Sequence, residues 1–213
     1  MNRALERFAA NPEVLVGLDF DGVLAEIVPQ PEQASPVDGV AEVLEALVGL
    51  DGVRVAAVSG RRRDDLAQRL RPPAGVILIG EHGADDGVRI DDRPPHYDEV
   101  LELLTRLAAE HEGAWVEQKQ TGMTLHCRAL APETAAELTR QASAELDLLV
   151  PGTHAPGHRV VDVRLTGVTK GDAINRLRQP GEAVLYIGDD TTDESVFEIL
   201  HGGDLGVKVG PGS

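Results

Sequence analysis

The sequence predicts an α/β fold: a parallel sheet flanked by helices, with a smaller α+β module inserted into it. Three observations carry this. Short apolar runs at residues 14–18, 53–58, 76–79 and 183–187 each end abruptly in polar residues, as strands buried on both faces do. Helical spacing separates the first three runs, so the order is βαβαβ, which implies right-handed parallel crossovers. Between residues 84 and 157 the pattern changes to turn signals, helices and paired short strands before the first pattern resumes. Residues 1–83 and 158–213 are therefore assigned to the core and 84–157 to the insertion.

In chain order, residues 1–12 carry Arg3, Glu6 and Arg7 among Leu5 and Phe8, a short amphipathic helix without the apolar middle of a signal peptide. The run 14–18 leads into Asp19-Phe20-Asp21-Gly22. Residues 27–36 are a loop rich in Pro and Gln. Val40, Val43, Leu44 and Leu47 recur at helical spacing. The run 53–58 ends in Ser59-Gly60-Arg61. A helix over 64–70 is stopped by Pro72-Pro73, and the run 76–79 ends in Gly80-Glu81-His82-Gly83.

Asp85-Asp86-Gly87 and Asp91-Asp92-Arg93-Pro94 mark turns at the start of the insertion. Val100, Leu103, Leu104 and Leu107 make a helix. Strands over 114–120 and 123–128 flank Thr121-Gly122, a hairpin signal. Pro132 opens a helix to residue 147, and 158–164 reads as a strand. Thr169-Lys170-Gly171 then starts a helix with Ala173, Ile174 and Leu177 on one face. The run 183–187 closes in Gly188-Asp189-Asp190-Thr191-Thr192-Asp193, and a last helix and strand follow.

Composition narrows the function. The chain has 213 residues, 42% apolar and 3% aromatic, so its core is aliphatic. A formal net charge of -16 disfavours nucleic acid and anionic membrane as partners, and an anionic substrate would need a local cation. Cys127 is the only cysteine, so no intrachain disulfide forms, and a cytoplasmic home is expected. No apolar run reaches the length of a membrane span. A monomer or small homo-oligomer is expected.

Ligands of open parallel sheets gather at the carboxyl ends of the strands. Here those ends carry Asp19 and Asp21, Ser59 and Arg61, Glu81 and His82, and Asp189, Asp190 and Asp193. Packing such acids together is costly unless a cation joins them. Hard carboxylates without His or Cys point to magnesium. Lys170 and Arg61 supply fixed positive charge for an anionic group. An aspartate nucleophile, a cation, a lysine and a hydroxyl donor make a phosphoryl-transfer site. Asp19 attacks phosphorus; Asp21, two residues on, protonates the leaving alkoxide and later activates water. Ser59, the backbone N–H of Gly60 and Lys170 hold phosphate oxygens.

These residues resemble the haloacid dehalogenase superfamily. Asp19-Phe20-Asp21-Gly22 matches its first motif, Ser59 its second, Lys170 its third and Gly188-Asp189-Asp190-Thr191-Thr192-Asp193 its fourth. Within it the chain is similar to trehalose-6-phosphate phosphatases over about residues 13–209, through Val58-Ser59-Gly60-Arg61, His82-Gly83-Ala84, Val116-Glu117-Gln118-Lys119, Lys170-Gly171 and the fourth motif. The resemblance implies a Rossmann-like core and a mobile cap inserted between the second and third motifs. It also implies magnesium held by Asp19, the backbone carbonyl of Asp21 and Asp189, with Asp190 or Asp193 in support. Glu117 and Lys119 would reach the sugar hydroxyls.

The chain departs from the pattern at Val23, Ala25-Glu26 and Asp162-Val163-Arg164-Leu165, where relatives carry Glu-x-Arg-Pro. Asp162 is expected to face the sugar, so its shorter side chain bears on substrate identity. The expected activity is hydrolysis of trehalose 6-phosphate through an aspartyl-phosphate. The alternatives are a phosphatase of another phosphorylated disaccharide (a pseudo-disaccharide of aminocyclitol type, or mannosyl-3-phosphoglycerate), a phosphosugar mutase, or a sugar-phosphate-binding regulator without turnover.

Overall fold

The computed structural model describes residues 3–28, 30–87, 93–157 and 159–210. Its elements run, in order, α1 (Arg3–Phe8), β1 (Val14–Leu18), α2 (Val40–Val48), β2 (Val53–Val58), α3 (Arg63–Leu70), β3 (Val76–Ile79), α4 (Tyr97–Ala109), β4 (Trp115–Gln118) and β5 (Gly122–His126). They continue with α5 (Pro132–Leu149), β6 (His154–Gly157), β7 (Val160–Arg164), α6 (Lys170–Leu177), β8 (Ala183–Gly188), α7 (Glu194–Phe197) and β9 (Leu205–Lys208). The chain divides into two compact units, Met1–Val88 with Val168–Ser213, and Arg89–Gly167. The turn expected at Asp91-Asp92 lies outside the described residues, as does His158. Among the described residues no helix is long and apolar enough to cross a membrane.

The first unit is a parallel sheet of five strands in the order β3-β2-β1-β8-β9. Its inner strands β1 and β8 read as unbroken apolar runs because both faces are covered. Val14, Val16 and Leu18 of β1, with Val55 and Ala57 of β2, pack against Val40 and Leu44 of α2 and Leu66 and Leu70 of α3. The alternate residues Leu15, Ala56 and Val58 pack on the other side with Ala173 and Ile174 of α6 and Val196 of α7. All five residues of β1 are buried, as befits the central strand. Helix α6 starts on a capping box: the Thr169 side chain accepts from the Asp172 backbone, and Asp172 accepts from the Thr169 N–H. That fixes Lys170 in the first helical position.

The second unit is an antiparallel sheet of four strands, β4-β5-β7-β6. Met123, Leu125, Val161 and Val163 are buried with Val100, Leu104 and Leu107 of α4 and Leu138, Ala142 and Leu146 of α5. Both helices therefore lie on one face, and the alternate residues form the other.

Here the structure differs from the boundary read off the sequence. The return to the core was expected at residue 158, yet β7 pairs antiparallel with both β5 and β6 and belongs to the second unit. Alternation marks a strand without saying which sheet receives it, and β6 itself, His-Ala-Pro-Gly, carries no strand signal. Pro156 is tolerated there because β6 is an edge strand.

Candidate functional site

The carboxyl ends of β1, β2 and β8 bring the predicted core residues together. Asp19 follows β1 directly. Its Oδ1 accepts the Phe20 N–H at 2.7 Å and its Oδ2 pairs with Lys170 Nζ at 2.9 Å. Lys170 also donates to Asp193 Oδ1 at 2.8 Å. Asp19, Lys170 and Asp193 are 4%, 2% and 0% exposed, so the triad is closed to water.

Asp193 has both oxygens filled. Oδ1 accepts from Lys170 and from the Tyr186 hydroxyl at 2.7 Å; Oδ2 accepts the backbone N–H groups of Asp189 and Asp190 at 2.9 and 3.1 Å. These donors decide how the single lysine charge is shared. Burial pushes the Asp193 carboxyl up, but Lys170 and the hydrogen bonds outweigh it and hold the pKa below the ordinary value. Burial pushes Asp19 up to about 7, with the Asp193 charge adding to the rise and Lys170 opposing it. Lys170 is itself held above its usual value, because its two carboxylates outweigh burial. The lysine stays charged, Asp193 claims it more fully, and Asp19 is left under-compensated.

Asp189 is also pushed up, first by burial and then by Asp190 and Asp193. Its carboxylate lies hard against the turn after β1. Gly22 sits there at φ 86°, and a Cβ on it would fall 2.1 Å from Asp189 Oδ2, so only glycine lets the two acidic loops meet. Asp190 Oδ1 accepts the N–H and hydroxyl of Thr192, which shapes the loop. Carboxylate oxygens of Asp19, Asp190 and Asp193 lie within 4.8 Å of one another. Because Asp193 is saturated by donors, Asp19, Asp189 and Asp190 are the carboxylates with capacity for a cation. An all-oxygen, under-compensated donor set fits a hard divalent metal.

Ser59 is buried at the end of β2, with its Oγ accepting the Arg61 N–H at 3.2 Å. Gly60 passes under the His82 ring; a Cβ would meet the imidazole at 2.5 Å. Arg61 and Asp21 differ from expectation. Arg61 does not present a free charge: it grips Asp21 through Nε and NH2, both at 2.7 Å, and Asp65 through NH1 at 2.8 Å. Asp65 and Tyr186 escaped the sequence reading. The spacing of Asp65 four residues after Arg61 was a usable signal; nothing in sequence aims Tyr186 at Asp193.

In the second unit, register places Glu117 opposite Thr124 and Thr124 opposite Asp162 on the face that α4 and α5 leave uncovered. Lys119 Nζ and Thr124 Oγ1 both reach Asp162 Oδ1 at 2.7 Å, and Arg164 Nε lies 3.7 Å from Asp162 Oδ2. Glu117 Oε2 is 3.0 Å from His126 Nε2, and the His126 ring stacks on Trp115 with centroids 4.1 Å apart. Glu117 and Lys119 thus share a face but take different partners.

Residues 17–210 match the family model described as trehalose-phosphatase. The chain is 34% identical over 222 residues to the bifunctional trehalose-6-phosphate synthase/phosphatase of Thermoproteus tenax, covering 96% of this chain and 30% of that protein. It therefore spans under a third of that relative's length. It is 30% identical over 208 residues to the trehalose-6-phosphate phosphatase of Escherichia coli, covering 92% of this chain and 77% of that one. The structure of Aspergillus fumigatus trehalose-6-phosphate phosphatase superposes with a TM-score of 0.65 at 28% identity, covering 100% of this chain and 89% of the other. With the motif residues of the core assembled on one sheet end and the family model matched over nearly the whole length, this chain belongs to the trehalose-phosphatase family.

Proposed function

We propose that the chain hydrolyses trehalose 6-phosphate to trehalose and phosphate through an aspartyl-phosphate on Asp19. The observation that carries this reading is the buried Asp19–Lys170–Asp193 triad at the end of the central strand, in a chain of this family. A carboxylate held by one hydrogen bond and a shared lysine is under-compensated, and attack on phosphorus relieves its charge.

In the first half-reaction an Asp19 oxygen bonds to phosphorus and the phosphorus–sugar-oxygen bond breaks. Its electron pair stays on the sugar oxygen, which takes a proton from the Asp21 carboxyl. In the second, Asp21 takes a proton from water, the water oxygen bonds to phosphorus, and the Asp19–phosphorus bond breaks. Ser59, the Gly60 N–H and Lys170 hold phosphoryl oxygens. Asp19, Asp189, Asp190 and the backbone carbonyl of Asp21 would hold magnesium, which when bound neutralises charge between carboxylate and phosphate.

Glu117, Lys119 and Asp162 are assigned to the sugar. Their paired, near-neutral face offers donors and acceptors side by side, as a polyhydroxylated ligand requires. A monomeric or small oligomeric cytoplasmic enzyme completes the proposal. Phosphate release from trehalose 6-phosphate, set against glucose 6-phosphate, mannosyl-3-phosphoglycerate and an aminocyclitol pseudo-disaccharide phosphate, tests it. A clear preference for trehalose 6-phosphate in kcat/KM is expected; preference for another phosphate ester refutes the substrate assignment.

A further inference from the structure

The guanidinium of Arg61 spends three of its five N–H donors on two carboxylates. Its Nε and NH2 close on Oδ2 and Oδ1 of Asp21, a bidentate fork, and NH1 reaches Asp65 Oδ2. Its central carbon lies 5.4 Å from the Phe20 ring centroid. Asp65 is anchored in turn by Arg69 at 2.8 and 2.9 Å, and Arg69 NH1 donates to the Glu32 carbonyl at 2.6 Å. The Arg61 side chain is 11% exposed, against 39% for Asp21. Asp21 closes one carboxylate-sized edge of the guanidinium and Asp65 takes one N–H of the other, so three of the five donors are used on carboxylates.

We infer that Arg61 is a positioning residue for Asp21 and not a phosphate ligand. This rests on the reading of Asp21 as the acid that serves the leaving oxygen. While the fork is closed, both Asp21 oxygens point at nitrogen. A carboxylate that accepts on both oxygens carries no proton, so to serve the sugar oxygen Asp21 must turn one oxygen out of the fork, take a proton from water there, and hand it on. Asp65 and Phe20 keep the guanidinium in place meanwhile, so Asp21 leaves and returns to a fixed seat. Arg61 thereby limits Asp21 to two orientations, one parked and one working.

A residue that acts through Asp21 has a distinctive kinetic mark. An alkyl oxygen needs a proton to leave, whereas para-nitrophenolate leaves without one. Both esters share the Asp21-assisted hydrolysis of the aspartyl-phosphate, so the mark lies in kcat/KM, which reports the first half-reaction: loss of Arg61 should lower it for sugar phosphates and spare it for the aryl ester. A residue that touches the phosphoryl group would slow both.

The test makes Arg61→Gln and Asp21→Asn singly and together, in the full chain with magnesium. It measures kcat and KM for trehalose 6-phosphate and para-nitrophenyl phosphate, inhibition by inorganic phosphate, and the urea unfolding of all four proteins. Arg61→Gln should lower kcat/KM for trehalose 6-phosphate about 10- to 100-fold and change kcat/KM for para-nitrophenyl phosphate by less than about threefold. Inhibition by phosphate should stay as in wild type, and the double variant should be no slower than Asp21→Asn. Equal losses of kcat/KM on both esters with weaker phosphate inhibition, or losses that multiply in the double variant, overturn the proposal.

If Arg61→Gln does not fold, Asp65→Asn, which frees one side of the guanidinium, should show the same alkyl-only pattern at smaller size; losses on both esters overturn it. If wild type releases phosphate from neither ester, the phosphatase reading fails by itself. The unfolding cycle then decides the grip: non-additive midpoints support it, and additive midpoints overturn it.

Discussion

The two units manage charge in opposite ways. At the sheet end of the first, Asp19, Asp21, Asp189, Asp190 and Asp193 gather around Lys170 and Arg61, and Asp19 and Asp189 are displaced upward in pKa. On the open face of the second, Glu117 pairs with His126 and Lys119 with Asp162. One region crowds buried carboxylates around few cations; on the other each of these acidic side chains has its own hydrogen-bonding partner. Chemistry needs the first kind, because a group already content with its neighbours gains little from attacking phosphorus. Recognition of hydroxyls needs the second, because each hydroxyl both donates and accepts.

The sharpest way to break this contrast is Asp19→Asn. Turnover should fall by about 10⁴-fold or more, since the amide cannot attack phosphorus. Metal-free stability should move the other way. The folded pKa of about 7 lies above the ordinary carboxylate value, so ionised Asp19 costs the fold stability that is lost as pH rises from about 4 to 7 and stays lost above. The variant should therefore melt higher than wild type at pH 8 in chelator, with the gap closing toward pH 4. A lower Tm at pH 8 would mean that the Lys170 pairing outweighs burial, and the stored-charge description would have to go.

Metal tests the same charge from outside. Exhaustive chelation should abolish phosphate release, magnesium should restore it, and calcium should inhibit, because calcium prefers more ligands at longer distances. Magnesium should also raise Tm in wild type and do so far less in Asp189→Asn. Full activity in chelator would remove the metal from the reading.

Lys170→Met takes away the cation that Asp19 and Asp193 share. Leaving those carboxylates buried without it should cost about 3–5 kcal/mol in urea unfolding, the scale for breaking a buried pair. Adding Asp19→Asn to it should recover part of that loss. No recovery would mean that the lysine stabilises through its packing.

Much of the core was legible because a doubly covered parallel strand leaves a strong mark: an apolar run that stops at a polar end. β1 running into Asp19, β2 into Ser59 and β8 into Asp189 all carry it, and Thr169 with Asp172 announces the start of α6. Less legible was anything that depends on which side chains meet. The sequence shows that Arg61 is positive and near the site; that its fork is filled by Asp21 follows from the pairing of β1 with β2, and that Asp65 joins it follows from the start of α3. Alternation puts Glu117 and Lys119 on one strand face, but that His126 and Asp162 on neighbouring strands take them as partners follows from register. β7 was legible as a strand but not as a member of the second sheet, because both sheets accept alternating apolar residues.

The smallest expected effect belongs to the balanced face. Lys119→Ala removes one charged hydrogen bond but leaves Asp162 the Thr124 hydroxyl and nearby Arg164, so the unit should lose about 1.5 kcal/mol of stability. Glu117→Ala leaves His126 stacked on Trp115, with a similarly small cost. Recognition should suffer more than the fold. A hydrogen bond between a charged group and a sugar hydroxyl is worth about 1.5–3 kcal/mol, so either variant should lower kcat/KM for trehalose 6-phosphate about 10- to 150-fold. Para-nitrophenyl phosphate has no sugar hydroxyls to read, and its turnover should change by much less. That split is the reverse of the one expected for Lys170, whose loss should slow both esters together. Equal losses on both esters in Glu117→Ala or Lys119→Ala would mean that the paired face holds the unit's shape, and the division of labour between stored and balanced charge would no longer map onto chemistry and recognition.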